Sequence, residues 1–244
     1  MKRLDILITE KGLAKSRTAA SALIKEGSVT VNGKQVTKPS EQFDETAVIA
    51  VSEGSALTKY VGRGGLKLET AIEEFGISPR GCICLDIGAS TGGFTDCMLQ
   101  NGAERVYAVD VGTSQLAEKL RSDSRVISLE NLDIRAADET LIPEKAGFIT
   151  ADVSFISLKQ IMPAIPGFAA KNAVCALLIK PQFELGKAKL GKSGVVKDPK
   201  LRKKAVDEVC AFAEMLGFAD IRTVPSKITG GDGNMEFLMH CIIP

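Results

Sequence analysis

The period of the hydrophobic positions changes along the chain. Leu4, Leu7 and Ile8 fall on one face of a helix that Gly12 can stop in a left-handed turn. Ser16 is placed to cap a second helix carrying Ala20, Leu23 and Ile24 as far as Gly27. From Val29 the period drops to two, and the run to Val36 reads as two short strands around Asn32-Gly33, a strong hairpin signal. So small a unit buries little core and is expected to lean on a neighbour.

Beyond the glycines at 54, 62, 64 and 65, helix and strand patterns alternate. Helices are predicted at 66–75, 95–100, 114–121, 157–165 and 199–216. Strands are predicted at 82–87, 105–110, 125–129, 148–152, 173–179, 221–224 and 235–242. Strands separated by helix-sized crossovers predict an α/β fold with a mostly parallel, doubly wound sheet of seven strands. Only a short glycine-rich turn at 229–234 joins the last two strands, so these must pair antiparallel. The organisation expected is a small α+β domain at 1–58, a linker at 59–65 and a large domain at 66–244.

Length and composition narrow the class. With 244 residues, 45% hydrophobic and 25% charged, the chain is that of a soluble globular protein of one large domain and a small appendage. Apolar runs such as 174–179 fall far below the roughly 20 residues of a spanning helix. Met1-Lys2-Arg3 mimics the start of a signal peptide, but Asp5, Glu10 and Lys11 interrupt it, and a cytoplasmic protein with no membrane partner is expected. The six cysteines show no CxxC pairing and read as reduced core residues, and the single histidine, His240, lies in a strand pattern. Histidine triads and zinc sites are thereby disfavoured.

Net charge is only +1, so a polyanionic partner would have to be held by local patches. Residues 1–40 hold eight bases, among them Arg3, Lys11, Lys15 and Arg17, against three acids, although four more acids follow by Glu53. Residues 185–204 hold eight bases, among them Lys187, Lys189 and Lys192, against Asp198 alone. The bland alternative for both is a solvated surface. Because aromatics make up 5% of the chain and there is no Trp, phosphate contacts rather than extensive base stacking are expected.

The run Leu85 to Phe94 carries the sharpest chemical signal. An apolar strand ends in Asp86-Ile87 and enters a glycine turn that opens a helix, which offers Asp86, Gly88, Ala89, Ser90, Gly92, Gly93 and Phe94 as binding residues at the sheet's carboxyl edge. The glycines are spaced i, i+4, i+5 rather than GxGxxG, which counts against a nicotinamide dehydrogenase, the natural rival. Asp110 ends the next strand and is placed to accept hydrogen bonds from a ribose diol. Asp133, after the third, could reach an adenine amine. Strand-end solubility is the alternative for these acids.

Asp152 and Lys180 end the fourth and fifth strands, Glu236 begins the last one, and Lys67 sits on the helix before the first. All four can meet at the same edge, either as a reactive group or as a salt-bridge cluster with no chemistry.

The glycine run resembles the first motif of S-adenosylmethionine-dependent methyltransferases, and Lys67, Asp152, Lys180 and Glu236 resemble the tetrad of the RrmJ/FtsJ-type RNA ribose 2′-O-methyltransferases. Residues 3–17, 22–24 and 29–36 are similar to the RNA-binding domain of small-subunit ribosomal protein S-four. Together they resemble the TlyA family, long labelled haemolysins, over essentially the whole chain. The resemblance implies a class I, Rossmann-like methyltransferase fold with an antiparallel last strand. It also implies S-adenosylmethionine as cofactor, no metal, and methylation of a cytidine ribose in ribosomal RNA or ribosomal subunits. A ribose hydroxyl holds its proton too tightly to attack unaided, and Lys180 is the candidate base. Asp152 would then orient it, and Glu236 would hold Lys67 and the ribose. A cytolysin and a catalytically idle RNA-binding scaffold are the competing classes, and the oligomeric state is left open.

Overall fold

The computed structural model describes residues 1–14, 16–51, 59–186 and 194–244. The chain divides into two units, Met1–Lys59 and Tyr60–Pro244.

The first unit runs β1 (Lys2–Arg3), α1 (Leu4–Glu10), α2 (Arg17–Glu26), β2 (Val29–Val31), β3 (Lys34–Gln35), β4 (Gln42–Phe43) and β5 (Ile49–Val51). Ser16 Oγ accepts from Ala19 N at 3.2 Å at the start of α2, and Gly27 closes the helix at φ 83°. Asn32 and Gly33 both have positive φ, as a tight β2–β3 hairpin requires. Leu4, Ile8, Leu23, Ile24, Val29 and Val31 form a core of their own. β4 pairs with β1, and β5 with β2. Neither is visible as an alternating pattern, because strands of two and three residues are too short to show a period.

The second unit follows with α3 (Gly64–Phe75), β6 (Ile83–Ile87), α4 (Gly93–Gln100), β7 (Arg105–Asp110), α5 (Glu118–Arg121), β8 (Val126–Glu130), β9 (Ala146–Ala151), α6 (Ile165–Phe168), β10 (Ala169–Ile179), α7 (Pro181–Glu184), α8 (Pro199–Met215), β11 (Ala219–Pro225) and β12 (Phe237–Ile243). Its sheet has the order β11-β12-β10-β9-β6-β7-β8. The neighbours from β10 to β8 pair in parallel, and β12 runs against both β10 and β11. Leu68, Phe75, Phe94 and Met98 cover one face, while Leu158, Met162, Val206 and Val209 cover the other.

Three expectations are corrected. The helix predicted at 157–165 is two 3-10 turns followed by the four-residue α6, since Pro163 and Pro166 have no N–H to give to a longer helix. The helix predicted at 114–121 keeps only its last turn, because the amides of Ser114, Gln115 and Leu116 donate to the Glu130 carboxylate instead. The stretch 59–65, expected as a linker, largely belongs to the second unit: Tyr60 is buried in the same cluster as Leu68, Phe94 and Cys97.

Strand order fixes where a site can form. From β6 the chain moves outward to β7 and β8, then returns to the other side of β6 with β9. The crevice at the carboxyl ends of β6 and β9 is therefore the topological switch point of the sheet, where ligands of open α/β folds bind.

Candidate active site

Gly88, Asp152 and Lys180 each directly follow the last residue of a parallel strand, β6, β9 and β10. Glu236 directly precedes antiparallel β12 and so arrives at the same edge. The Asp152 amide donates to Ile87 O at 2.9 Å, tying the ends of β9 and β6 together. Gly88 has φ 82°, and a Cβ there would lie 2.6 Å from the Asp152 carbonyl oxygen. Only glycine permits both the turn and the approach.

The helix that carries Lys67 is brought in by a second close approach. A Cβ on Gly93, at the start of α4, would lie 2.9 Å from Gly65 N and 3.0 Å from Gly62 O. This glycine contact lets α3 press its first turn onto the glycine turn and aim Lys67 across the strand ends.

The four residues expected to meet are brought together. Lys67 Nζ lies 2.6 Å from Glu236 Oε2 and 3.8 Å from Asp152 Oδ2, and Lys180 Nζ lies 2.5 Å from Asp152 Oδ1. Asp152 thus stands between the two ammonium groups. Lys67, Lys180 and Glu236 are buried. The short contacts to Asp152 Oδ1 and Glu236 Oε2 are charge contacts and not aligned hydrogen bonds. The aligned bond in this group is from Lys180 Nζ to Ser154 Oγ at 2.7 Å.

Beside the tetrad lies a cleft of about 350 Å³, lined by Gly88, Ser90, Asp110, Asp133 and Asp152 with the apolar Leu132, Ile134, Ile156 and Ile161. That volume falls within the range of small-molecule sites, roughly 300–1,000 Å³. A smaller recess of about 170 Å³ shares Gly88, Ser90, Asp152 and Ser154 with it and adds Gly64, Ala89, Gly93, Phe94 and Lys180. Asp110 is steadied by the amides of Ser90 and Gly112, each at 2.7 Å, and Asp133 by Arg135. The Arg135 guanidinium beside Asp133 lowers the pKa of its carboxyl. Each carboxylate oxygen has two lone pairs, so both acids can still accept from a ligand hydroxyl or amine. Apolar walls, strand-end acids and a glycine turn together fit a nucleoside with a small charged tail.

Two residues expected in the binding set lie elsewhere. Asp86 is wholly buried, its carboxylate accepting from Thr95 Oγ1 at 2.6 Å and Thr150 Oγ1 at 2.9 Å. Burial pushes its pKa up to about 6, against the two threonine bonds that favour the charge. It braces α4 and β9 against β6 and does not line the cleft. Gly92, at φ 92°, caps α4 and leaves room for Leu116 and Leu120.

On the first unit, Arg3 and Arg17 both donate to Asp5, a buried carboxylate, and Lys11 is exposed. Lys15, Lys187, Lys189 and Lys192 lie outside the described residues. The bases of α8 are less free than their count implied, since Lys203 pairs with Asp207 and Lys204 with Glu208.

Sequence reasoning missed Ser154, Phe155 and Gln115. Phe155 has φ 65° and is 91% exposed at the cleft wall, its ring 5.2 Å from that of Phe183. A large apolar side chain right after a strand-end acid and a serine is a signal that could have found it. Gln115 reaches Ser90 Oγ at 3.3 Å from a segment expected to be helical.

Residues 60–241 match the FtsJ-like methyltransferase family, and residues 2–49 match the S4 domain. Hemolysin A of Brachyspira hyodysenteriae is 42% identical over 99% of this chain and 100% of its own length. The 16S/23S rRNA (cytidine-2′-O)-methyltransferase TlyA of Mycobacterium tuberculosis is 41% identical over 97% of this chain and 88% of its own. A solved Streptococcus thermophilus chain with a hemolysin designation superposes with a TM-score of 0.77 at 43% identity, covering 99% of this chain and 88% of that one. Among the described residues no helix is long and apolar enough to cross a membrane. With a seven-stranded sheet of this order, a tetrad at its switch point and matches along the whole chain, the protein belongs to the FtsJ-like methyltransferases, in the TlyA family that joins this domain to an S4 domain.

Proposed function

We propose that this chain transfers a methyl group from S-adenosylmethionine to the ribose 2′-hydroxyl of a cytidine in ribosomal RNA. The observation that carries the proposal is the meeting of Lys67, Asp152, Lys180 and Glu236 at the rim of a nucleoside-sized cleft. Gly88, Ala89, Ser90, Gly93 and Phe94 would cradle the cofactor's tail side, Asp110 its ribose and Asp133 its adenine. When bound, S-adenosylmethionine supplies an electrophilic methyl group on a sulfonium sulfur.

The chain's own residues then do four things. Lys180 Nζ, as the neutral amine, takes the 2′-hydroxyl proton while the oxygen bonds to the methyl carbon. At the end of the step Lys180 would carry the positive charge as an ammonium, the bound cofactor leaving as the neutral sulfide. Asp152 orients Lys180, and Lys67, fixed by Glu236, offers a cation to the oxygen as its charge grows. Holding oxygen, methyl and sulfur in line supplies much of the rate, and the step calls for no metal.

Residues 1–58 are assigned to docking on structured RNA through Arg3, Lys11, Lys15 and Arg17, and Lys187, Lys189 and Lys192 to gripping phosphates. Exposed Phe155 offers a ring to a base next to the target ribose. Such a substrate sets the reaction in the cytoplasm. Tritiated methyl transfer to purified ribosomal subunits, with mass-spectrometric mapping of ribose methylation in a strain lacking the gene, tests the proposal. Label on a ribose 2′-oxygen of subunit RNA is expected. No labelling of subunit RNA, or label on a base, would overturn it.

A further inference from the structure

We infer that Ser154 is a positioning residue for the methyl transfer, setting the direction of the Lys180 lone pair. The inference rests on Lys180 being the base and adds what aims it. Asp152 Oδ1 approaches Lys180 Nζ to 2.5 Å without hydrogen-bond alignment, whereas Ser154 Oγ accepts from the same nitrogen at 2.7 Å with good geometry. Charge attraction holds a nitrogen in place but leaves rotation about Cε–Nζ open. An aligned hydrogen bond closes that rotation. Once Lys180 is a neutral amine, one N–H stays on Ser154 and the other turns to the Asp152 carboxylate. The lone pair is left with the remaining tetrahedral direction, toward the recess that Gly64, Asp152, Ser154 and Lys180 line. There the lone pair accepts the ribose proton.

The groups facing Lys180 from its neighbours are few. Asp152 stands on the β9 side, the Phe183 ring centre lies 5.9 Å away, and Lys67 and Glu236 come into range only through Asp152. Among the described residues no other hydrogen bond or ion pair orients the nitrogen.

The backbone around Ser154 is built as a fixture. Phe155 takes a left-handed conformation that a non-glycine residue adopts only at a cost and where its neighbours hold it. The Phe155 ring packs on Phe183, three residues past Lys180, and Glu184 accepts from Ser157 Oγ at 2.6 Å and Leu158 N at 2.7 Å. The loop carrying Ser154 is thus clamped to the turn carrying Lys180.

Single-turnover and steady-state methyl transfer to ribosomal subunits by the full-length chain tests the inference with Ser154→Ala and Ser154→Thr. Ser154→Ala is expected to lower kcat by about 10- to 100-fold, with KM for subunits and the Kd for S-adenosylmethionine within about threefold of the parent. Ser154→Thr, which keeps the hydroxyl, is expected to recover most of the rate. If Ser154→Ala retains the parent kcat, or loses cofactor affinity in proportion to rate, the inference fails, and the same holds if Ser154→Thr does no better than Ser154→Ala. Lys180→Ala, run beside them, separates the two levels. Activity in that variant removes the base itself, whereas an inert Lys180→Ala with an unimpaired Ser154→Ala removes only the positioning role.

Discussion

Lys67 Nζ lies 2.6 Å from Glu236 Oε2, joining the helix before the first strand of the large sheet to the entry of its last. Both residues are buried, at 8% and 2% exposure. Removing one partner of such a pair leaves a charge out of water with nothing to answer it, typically a loss of about 3–5 kcal/mol. Lys67→Ala is expected to fall in that range by urea denaturation and to be inactive. Lys67→Met with Glu236→Gln should regain most of the stability and none of the activity. A single variant costing under about 1 kcal/mol would mean that water reaches the pair.

Lys180 touches the recess and not the far walls of the larger cleft. Lys180→Ala is therefore expected to lose methyl transfer by a factor on the order of 100 to 10,000, while cofactor binding by calorimetry stays within a few-fold. A matching fall in affinity would assign Lys180 to binding.

Gly88 and Gly76 form a controlled comparison. Both have positive φ, but a Cβ at Gly88 meets the Asp152 carbonyl at 2.6 Å, and one at Gly76 meets nothing within 4 Å. Gly76→Ala should lower stability by about 1 kcal/mol through backbone strain and leave cofactor affinity alone. Gly88→Ala should cost more stability and also reduce cofactor affinity. Equal effects from the two would count against the close approach of β6 and β9.

Asp86 gives the molecule a pH signature. Burial raises its folded pKa to about 6 from an ordinary 3.8. Between these values the folded chain holds a proton that the unfolded chain has lost, so stability from this group is full at low pH. It falls as pH rises through the window, by roughly 3 kcal/mol in all, and is flat above it. Asp86→Asn removes the titration. The stability of the parent minus that of Asp86→Asn should therefore decrease from about pH 4 to about pH 7 in denaturant titrations. A constant difference would show that Asp86 keeps one protonation state throughout.

What the sequence disclosed follows from what leaves a periodic trace. Strand β7 is predicted at its observed bounds because a fully apolar run ends abruptly in Asp110. Asp152, Lys180 and Glu236 are legible because each stands at a strand end, where the pattern changes from apolar to polar, whereas Lys67 lies on α3 and is marked only by its place on the helix before β6. Asp86 misled for the same reason: a carboxylate near a glycine turn looks like a ligand-binding group, and only the hydroxyls of Thr95 and Thr150, the latter 64 residues away, reveal its inward role. Ser154 was invisible because its meaning lies in one hydrogen bond to a lysine 26 residues on. The missing helix at 114–116 had a comparable cause, a glutamate on a later strand competing for its amides.

β12 is threaded between β10 and β11 and not added at an edge. Without β12, Glu236 has no place and Lys67 keeps only its 3.8 Å approach to Asp152. A chain truncated before this strand would retain the residues that line the nucleoside cleft and three of the four reactive groups, yet is expected to hand no methyl group to RNA.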